Sequence, residues 1–165
     1  MIRSATPDDI EQIAAIYSHY VLHSTATFEI DPPNADEMER RRLAIVEQGL
    51  PYLVAAKDHK ILAYAYASQY RPRQAYSYTV EDSIYVHPAE TGRGLGRLLL
   101  PGLIQACEAA GRRQMIAVIG DTVNTASIRL HERFGFRHAG VLRSVGFKFD
   151  QWLDTVLMQL ELRSR

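Results

Sequence analysis

Three glycines at alternate positions, Gly92, Gly94 and Gly96, lie between the run Ile84-Tyr85-Val86-His87-Pro88 and a second apolar run, Leu98-Leu99-Leu100. Glycine reaches backbone torsions closed to other residues, so successive amides of such a turn can converge on one anion at the positive end of the following helix. A phosphate group suits that cradle, although an ordinary glycine turn carries the same spacing. Two nucleotide classes fit poorly. A dinucleotide fingerprint needs glycine three residues after its second one, where Arg97 stands after Gly94 and Leu99 after Gly96. A Walker loop needs Gly-Lys-Ser/Thr, and Gly96 is followed by Arg97-Leu98.

A second constellation is Asn124, Ser127 and His131. Seven residues make nearly two helical turns, so Asn124 and His131 share a helix face with Ser127 between them. They can contact a ligand together; equally, Asn124 can be an N-cap and His131 a satisfied interface histidine. Cys107 falls on an apolar helical stripe and reads as a small packed hydrophobe, not a nucleophile. His19 and His23 stand four apart with no third ligand in pattern, so no metal site is expected.

These residues need elements to hold them. Thr6-Pro7-Asp8-Asp9 has a capping hydroxyl, a first-turn proline and acids at the positive helix end; Ile10, Ile13, Ile16, Tyr17 and Tyr20 then recur at helical spacing. The spacing predicts a strand over 2–6 and a helix over 7–22. A second helix is expected over 35–48, with Asn34 and Glu37 as N-cap and reciprocal partner, Gly49-Leu50-Pro51 as the stop, and 39–42 as a solvated face. Strands over 52–57 and 61–70 are joined by the hairpin Asp58-His59-Lys60. In the second, Ala63, Ala65 and Ala67 alternate with Tyr64, Tyr66 and Ser68, giving one small face for close helix packing and one aromatic face.

Residues 71–80 form a polar, aromatic connector that suits ligand recognition or plain solvation. A strand over 81–87 leads to the glycine turn, and a helix runs on to about 110, with Pro101 calling for a kink or a late start. A short buried strand at 115–119, a helix over 124–134 closed by Gly135, and strands over 136–145 and 152–162 complete the chain. The prediction is an α/β (α+β mixed) architecture, a mixed sheet of about seven strands flanked by helices.

Composition bounds the function. The 165 residues suit one domain, 1–165, and 47% are apolar. Nineteen Lys plus Arg balance nineteen Asp plus Glu, which disfavours a generic phosphate-backbone binder, so no nucleic-acid partner is expected. No apolar run approaches the roughly 20 residues of a membrane span, and MIRSATPDD lacks a signal-peptide core. One cysteine excludes an internal disulfide and a thiolate zinc cage. A cytoplasmic protein without a membrane partner is expected.

The two segments taken together, Ile84-Tyr85-Val86-His87-Pro88 running into Gly92-Arg93-Gly94-Leu95-Gly96, then Asn124, Ser127, His131 and Phe134-Gly135-Phe136, resemble the GNAT superfamily of acetyl-CoA-dependent N-acetyltransferases. Thr79-Val80-Glu81-Asp82-Ser83, His131-Glu132, Gly146-Phe147-Lys148-Phe149 and Trp152-Leu153-Asp154 look like its phosphinothricin and methionine sulfone or sulfoximine branch. The likeness spans roughly residues 1–162. It departs from the superfamily in having Thr91 three residues before the middle glycine, where Gln or Arg is common, which moves the burden of pyrophosphate binding to other cations. It also has His131 where many relatives place a late-helix tyrosine.

The resemblance implies a GNAT-like, mostly antiparallel sheet with about four helices, acetyl-CoA as co-substrate without a metal, and a small amino-acid-like acceptor acetylated on its α-amine. It places Glu81 beside that amine as the general base. A carboxylate needs burial to lift its pKa toward 7, or a water to relay the proton. It puts pantetheine on the strand residues Ile84, Tyr85 and Val86, the pyrophosphate on residues 92–97 (Gly92, Arg93, Gly94, Leu95, Gly96, Arg97), and Asn124 and Ser127 on the cofactor's other side. His131 becomes the proton donor to the CoA thiolate. Arg73 supplies a cation for the acceptor's acid group, with Phe28, Gln74, Ala75, Tyr78, Ser83 and Trp152 around it, beside a twofold interface of a homodimer. The competing readings are acetylation of peptide N-termini or other small amines such as polyamines, and a CoA-binding sensor without turnover. The arginines of the connector weigh against polyamines, and the joint presence of Glu81 and His131 weighs against the sensor.

Overall fold

The computed structural model describes residues 1–163; Ser164 and Arg165, which the expected domain includes, lie outside the described residues. The elements are β1 (Ile2–Ser4), α1 (Ile10–His23), α2 (Ala35–Glu47), β2 (Tyr52–Lys57), β3 (Lys60–Gln69), β4 (Thr79–Val86), α3 (Leu95–Ala109), β5 (Gln114–Gly120), α4 (Thr125–Arg133), β6 (Arg137–Lys148) and β7 (Gln151–Glu161). Among the described residues seven strands form one sheet in the order β1-β2-β3-β4-β5-β7-β6, and only β4 and β5 pair in parallel. The mixed, mostly antiparallel sheet with four α-helices is the architecture expected.

Register explains which helix covers which face. Ala63, Ala65 and Ala67 pair with Val86, Ile84 and Asp82, and cross-strand partners point to the same side. The three alanines are fully buried, and α3 packs on this small-residue face with Leu99, Leu100, Leu103 and Cys107 inward. On the opposite face Tyr64 pairs with Tyr85, Tyr66 with Ser83, and Ser68 with Glu81, under α1 and α2. Tyr17 and Tyr20 of α1 lie edge-on or tilted to Tyr85 at 5.0 and 5.4 Å.

Several expectations need correction. Residues Pro7–Asp9 form a 3-10 turn ahead of α1, with Thr6 as its N-cap and Asp9 accepting from both the Thr6 amide and the Thr6 hydroxyl. Asn34 does cap α2, but the Glu37 carboxylate turns to Arg40 and Arg41 and not back to the cap. The stretch 39–42 is not wholly solvated: Arg42 is buried, held by Glu39 and donating to the Ala5 carbonyl. Strand β4 begins at Thr79, because Thr79 and Val80 already pair with Gln114 and Met115. Helix α3 starts at Leu95 without delay and carries Pro101 on its exposed side. Strand β6 runs on to Lys148, past the expected end at 145, and β7 starts one residue early at Gln151, since Phe149 and Asp150 turn the chain at positive φ without a glycine to announce it.

Candidate active site

The parallel pairing of β4 and β5 ends at Asp82 opposite Ala117, and beyond that point the strands part. An open cleft of about 810 Å³ occupies the gap, lined by Ser83, Ile84, Tyr85 and Val86 on one side and Val118, Ile119 and Gly120 on the other. Two strand edges that no longer pair with each other leave backbone donors and acceptors for an extended ligand carrying amides. One mouth of the cleft is the glycine turn, through Thr91, Gly92, Gly94, Leu95, Gly96 and Arg97; the other wall is α4, through Asn124, Ser127 and His131.

Local sequence dictates the turn. Gly94 sits at φ +80° as the cap of α3, a conformation that strains any residue with a Cβ. The first amides of a helix have no intrahelical partner, and here Arg97 is the first to find one, donating to the Gly94 carbonyl at 3.0 Å. The amides without an intrahelical partner are therefore those before Arg97, and Arg97 itself lines the cleft. Arg129 and Arg133 of α4 add further positive charge to the cleft wall. Arg93 points elsewhere: it is exposed and paired with Glu90. Asn124 lines the cleft and also caps α4, accepting from the Ser127 amide.

At the point of divergence stands a buried pair. His131 Nε2 lies 2.9 Å from Asp82 Oδ2, and His131 Nδ1 lies 2.7 Å from the Ser127 carbonyl oxygen. Burial works against the charged ring, but the hydrogen bond and negative charge of Asp82, with the Ser127 carbonyl, outweigh it and raise the histidine pKa. Glu81 is on the other face of β4, half-buried opposite Ser68 and Ile116. Burial, seconded by the Asp82 charge and opposed by Arg71, pushes its pKa up to about 7. The carboxylate is thus poised to exchange protons at neutral pH. Cys107 is fully buried, and burial pushes its thiol up to about 12, so it is no nucleophile.

The expected acceptor residues divide. Ser83 lines the cleft. Phe28 lies over β5 and β6: its ring atoms come within 3.1 Å of where a Cβ on Gly120 would be, and closer still at Gly146. Arg73, Gln74 and Ala75 are exposed in the connector, with Tyr78 62% exposed; Trp152 is 68% exposed beside Phe147 at the β6–β7 turn. None of these five lines the cleft.

Sequence reasoning passed over other residues. Asp82 lines the cleft, as do Tyr20, Thr25 and Ala26. The Tyr20 hydroxyl donates to the Val86 carbonyl at 2.6 Å, tying α1 to the cleft strand. Lys148 is buried and donates to the Ser24 and Thr27 carbonyls, stapling the segment after α1 across the sheet. The alternation in Glu81-Asp82 was the available signal for Asp82: two adjacent acids in a strand must face opposite ways.

Comparison with known proteins bears on this geometry. Residues 2–157 match the acetyltransferase (GNAT) domain family. The chain is 53% identical over 163 residues to a phosphinothricin N-acetyltransferase of Alcaligenes faecalis, covering 99% of this chain and 83% of the relative. It is 41% identical over 165 residues to an L-methionine sulfoximine/L-methionine sulfone acetyltransferase of Salmonella typhimurium, covering 98% and 94%. Among solved structures, a GNAT superfamily phosphinothricin acetyltransferase of Sinorhizobium meliloti in complex with AcCoA superposes with a TM-score of 0.94 at 44% identity, covering 98% of this chain and 88% of that one.

Proposed function

Because the chain belongs to the GNAT acetyltransferase family, we propose that its cleft presents the thioester of acetyl-CoA to the α-amine of a small amino-acid-like acid. The protein is an acetyl-CoA-dependent N-acetyltransferase, and its acceptor is of the phosphinothricin, methionine sulfoximine or methionine sulfone type. The observation that carries the reading is the parting of β4 from β5 into a cleft that ends on the glycine turn. Unpaired strand edges suit the amides of pantetheine, and free helix-start amides with Arg97 suit a diphosphate. Ile84 and Val86 hold the arm, Gly92 to Gly96 the diphosphate, and Asn124 and Ser127 the far side.

The reaction is direct attack. Glu81 removes a proton from the bound ammonium, itself or through one water, freeing the nitrogen lone pair. As nitrogen adds to the thioester carbon, charge grows on the carbonyl oxygen, and a β4 backbone N–H stabilises it. Collapse expels the CoA thiolate, to which His131 gives a proton. A thiol of pKa near 8.5 leaves tolerably even without help, so the donor matters less than the base.

Arg73, Gln74, Ala75, Tyr78 and Trp152 serve the acceptor beside a twofold interface, and on this reading the enzyme is a homodimer. Val145, Phe147, Phe149 and Trp152 support it, as an exposed apolar patch on the β6–β7 hairpin. The working unit is one acetyltransferase domain, 1–165, acting on a small molecule in the cytoplasm. No helix of the described residues is long and apolar enough to cross a membrane. Calorimetry with acetyl-CoA, followed by thiol release with a panel of amino acids and analogues, tests the proposal. Binding and turnover with acidic α-amines is expected; no heat with acetyl-CoA on folded protein overturns it.

A further inference from the structure

The buried pair beneath the cleft carries more than packing. A carbonyl oxygen only accepts, so His131 Nδ1, 2.7 Å from the Ser127 oxygen, carries a hydrogen. An ionised carboxylate also only accepts, so Nε2, 2.9 Å from Asp82 Oδ2, carries another. A ring that donates from both nitrogens is an imidazolium. We propose that Asp82 is a positioning residue that holds His131 in place as a buried imidazolium at the floor of the cleft, the form in which it can protonate a departing thiolate. The inference rests on the reading of the cleft as the thioester site.

The surroundings agree. Asp82 and His131 are 6% and 4% exposed, so water competes little for the pair. The ring of Phe136 meets the imidazole edge-on at 4.8 Å, which restricts its rotation. From α3 the neighbouring titratable group is the Cys107 thiol, which feels the Asp82 charge. From β4 it is Glu81, on the opposite face, and from α4 itself Arg129 and Arg133 stand on the cleft wall. Asp82 is therefore the anion in direct contact with the ring. Its second oxygen, Oδ1, is buried without a protein partner.

The chemical step balances simply. The C–S bond breaks with its electrons on sulfur; the thiolate displaces Asp82 Oδ2 as acceptor of the Nε2 hydrogen, the Nε2–H bond breaks, its proton joins sulfur, and its electron pair stays on Nε2. The neutral ring left behind faces the Asp82 carboxylate with a lone pair, an arrangement that favours reprotonation from solvent before the next turnover.

Nitrogen NMR of 15N-histidine-labelled protein tests this without any substrate, His131 being assigned by its loss in His131→Asn. Both ring nitrogens should be protonated at pH 7 in the wild type. In Asp82→Asn the ring should be neutral at pH 8 with its proton on Nδ1, because an amide can donate to Nε2. That variant should lose roughly tenfold to hundredfold in kcat while KM for acetyl-CoA moves less than about threefold. Its kcat should also decline at lower pH than wild type on the alkaline side. A wild-type ring with a bare Nε2 at pH 7 overturns the proposal, as does an Asp82→Asn enzyme with wild-type kcat and pH profile. If Asp82→Asn does not fold, the wild-type spectrum still decides. Failure of acetyl-CoA to bind would sink the acetyltransferase reading and leave that spectrum untouched.

Discussion

Replacing Glu81 with glutamine keeps the shape of the side chain and removes its ability to accept a proton. Burial places the wild-type carboxyl near pH 7, so about a tenth is ionised at pH 6 and about nine-tenths at pH 8, a span of roughly tenfold in active base. The sign follows from the role: a general base works ionised, so kcat should climb about tenfold from pH 6 to pH 8 and level above. Glu81→Gln should lose about 10²- to 10⁴-fold in kcat at pH 8 and flatten that limb, because the proton must then leave to bulk water. The loss should shrink by about tenfold at pH 6, where most of the wild-type base is already protonated. The assay is CoA thiol release at saturating acetyl-CoA and acceptor across pH 6–9, so that kcat reports the bound complex. A variant at wild-type rate, or one that keeps the same acidic limb, would refute both the base assignment and the argument from burial.

Loss of His131 should hurt less: His131→Asn should slow kcat by about tenfold to hundredfold without abolishing it, with acetyl-CoA affinity by calorimetry nearly unchanged. Gly120→Ala drives a methyl to 2.5 Å from the Thr25 carbonyl oxygen; denaturant titration should show a loss of about 1–3 kcal/mol, and KM for the acceptor should rise as the segment bearing Phe28 shifts. Asp9 is held down to about 2 by Arg3 with help from Thr6. Its stabilisation is present above the unfolded pKa and lost as pH falls through about 4 toward 2. Arg3 is 39% exposed on its side chain, so after screening Asp9→Asn should cost about 1–2 kcal/mol in denaturant at pH 7 and almost nothing near pH 2.

The fold was legible because its signals are local and periodic. Apolar residues at helical spacing marked α1 and α3, and the alanine–tyrosine alternation of β3 told which face takes a helix closely. Misread places are those where a tertiary partner outbids the local rule. Glu37 looks like half of a capping box until two arginines on the same helix reach it. Arg42 sits in a charged run, yet its guanidinium reaches the Ala5 carbonyl across the helix–strand junction. The turn at Phe149 and Asp150 puts an aromatic residue at positive φ, which it rarely adopts, and leaves Asp150 as its single turn-forming residue, too weak a signal to end the strand there.

The site was harder, for a reason in the sheet itself. What the parting of β4 from β5 opens in the cleft is backbone, and backbone leaves no mark on residue type; only the glycines announce a demand on the main chain. Side chains of β4 then divide by parity. Glu81 and Ser83 face the tyrosine layer under α1 and α2, while Asp82 faces α3 and α4. The cleft opens where β4 leaves β5; Asp82 and His131 line it, while Glu81 stands on the opposite face of the same strand, so on the proposed reading a base approaches the thioester from one face and a proton donor from the other. A base and an acid on the same face would sit close enough to neutralise each other by exchanging the proton that each must handle separately. Strand alternation instead turns Glu81 to one face of β4 and the Asp82–His131 pair to the other. Adjacent acids in a strand thus meet different surroundings, Glu81 raised toward neutrality by burial and Asp82 hydrogen-bonded to its histidine.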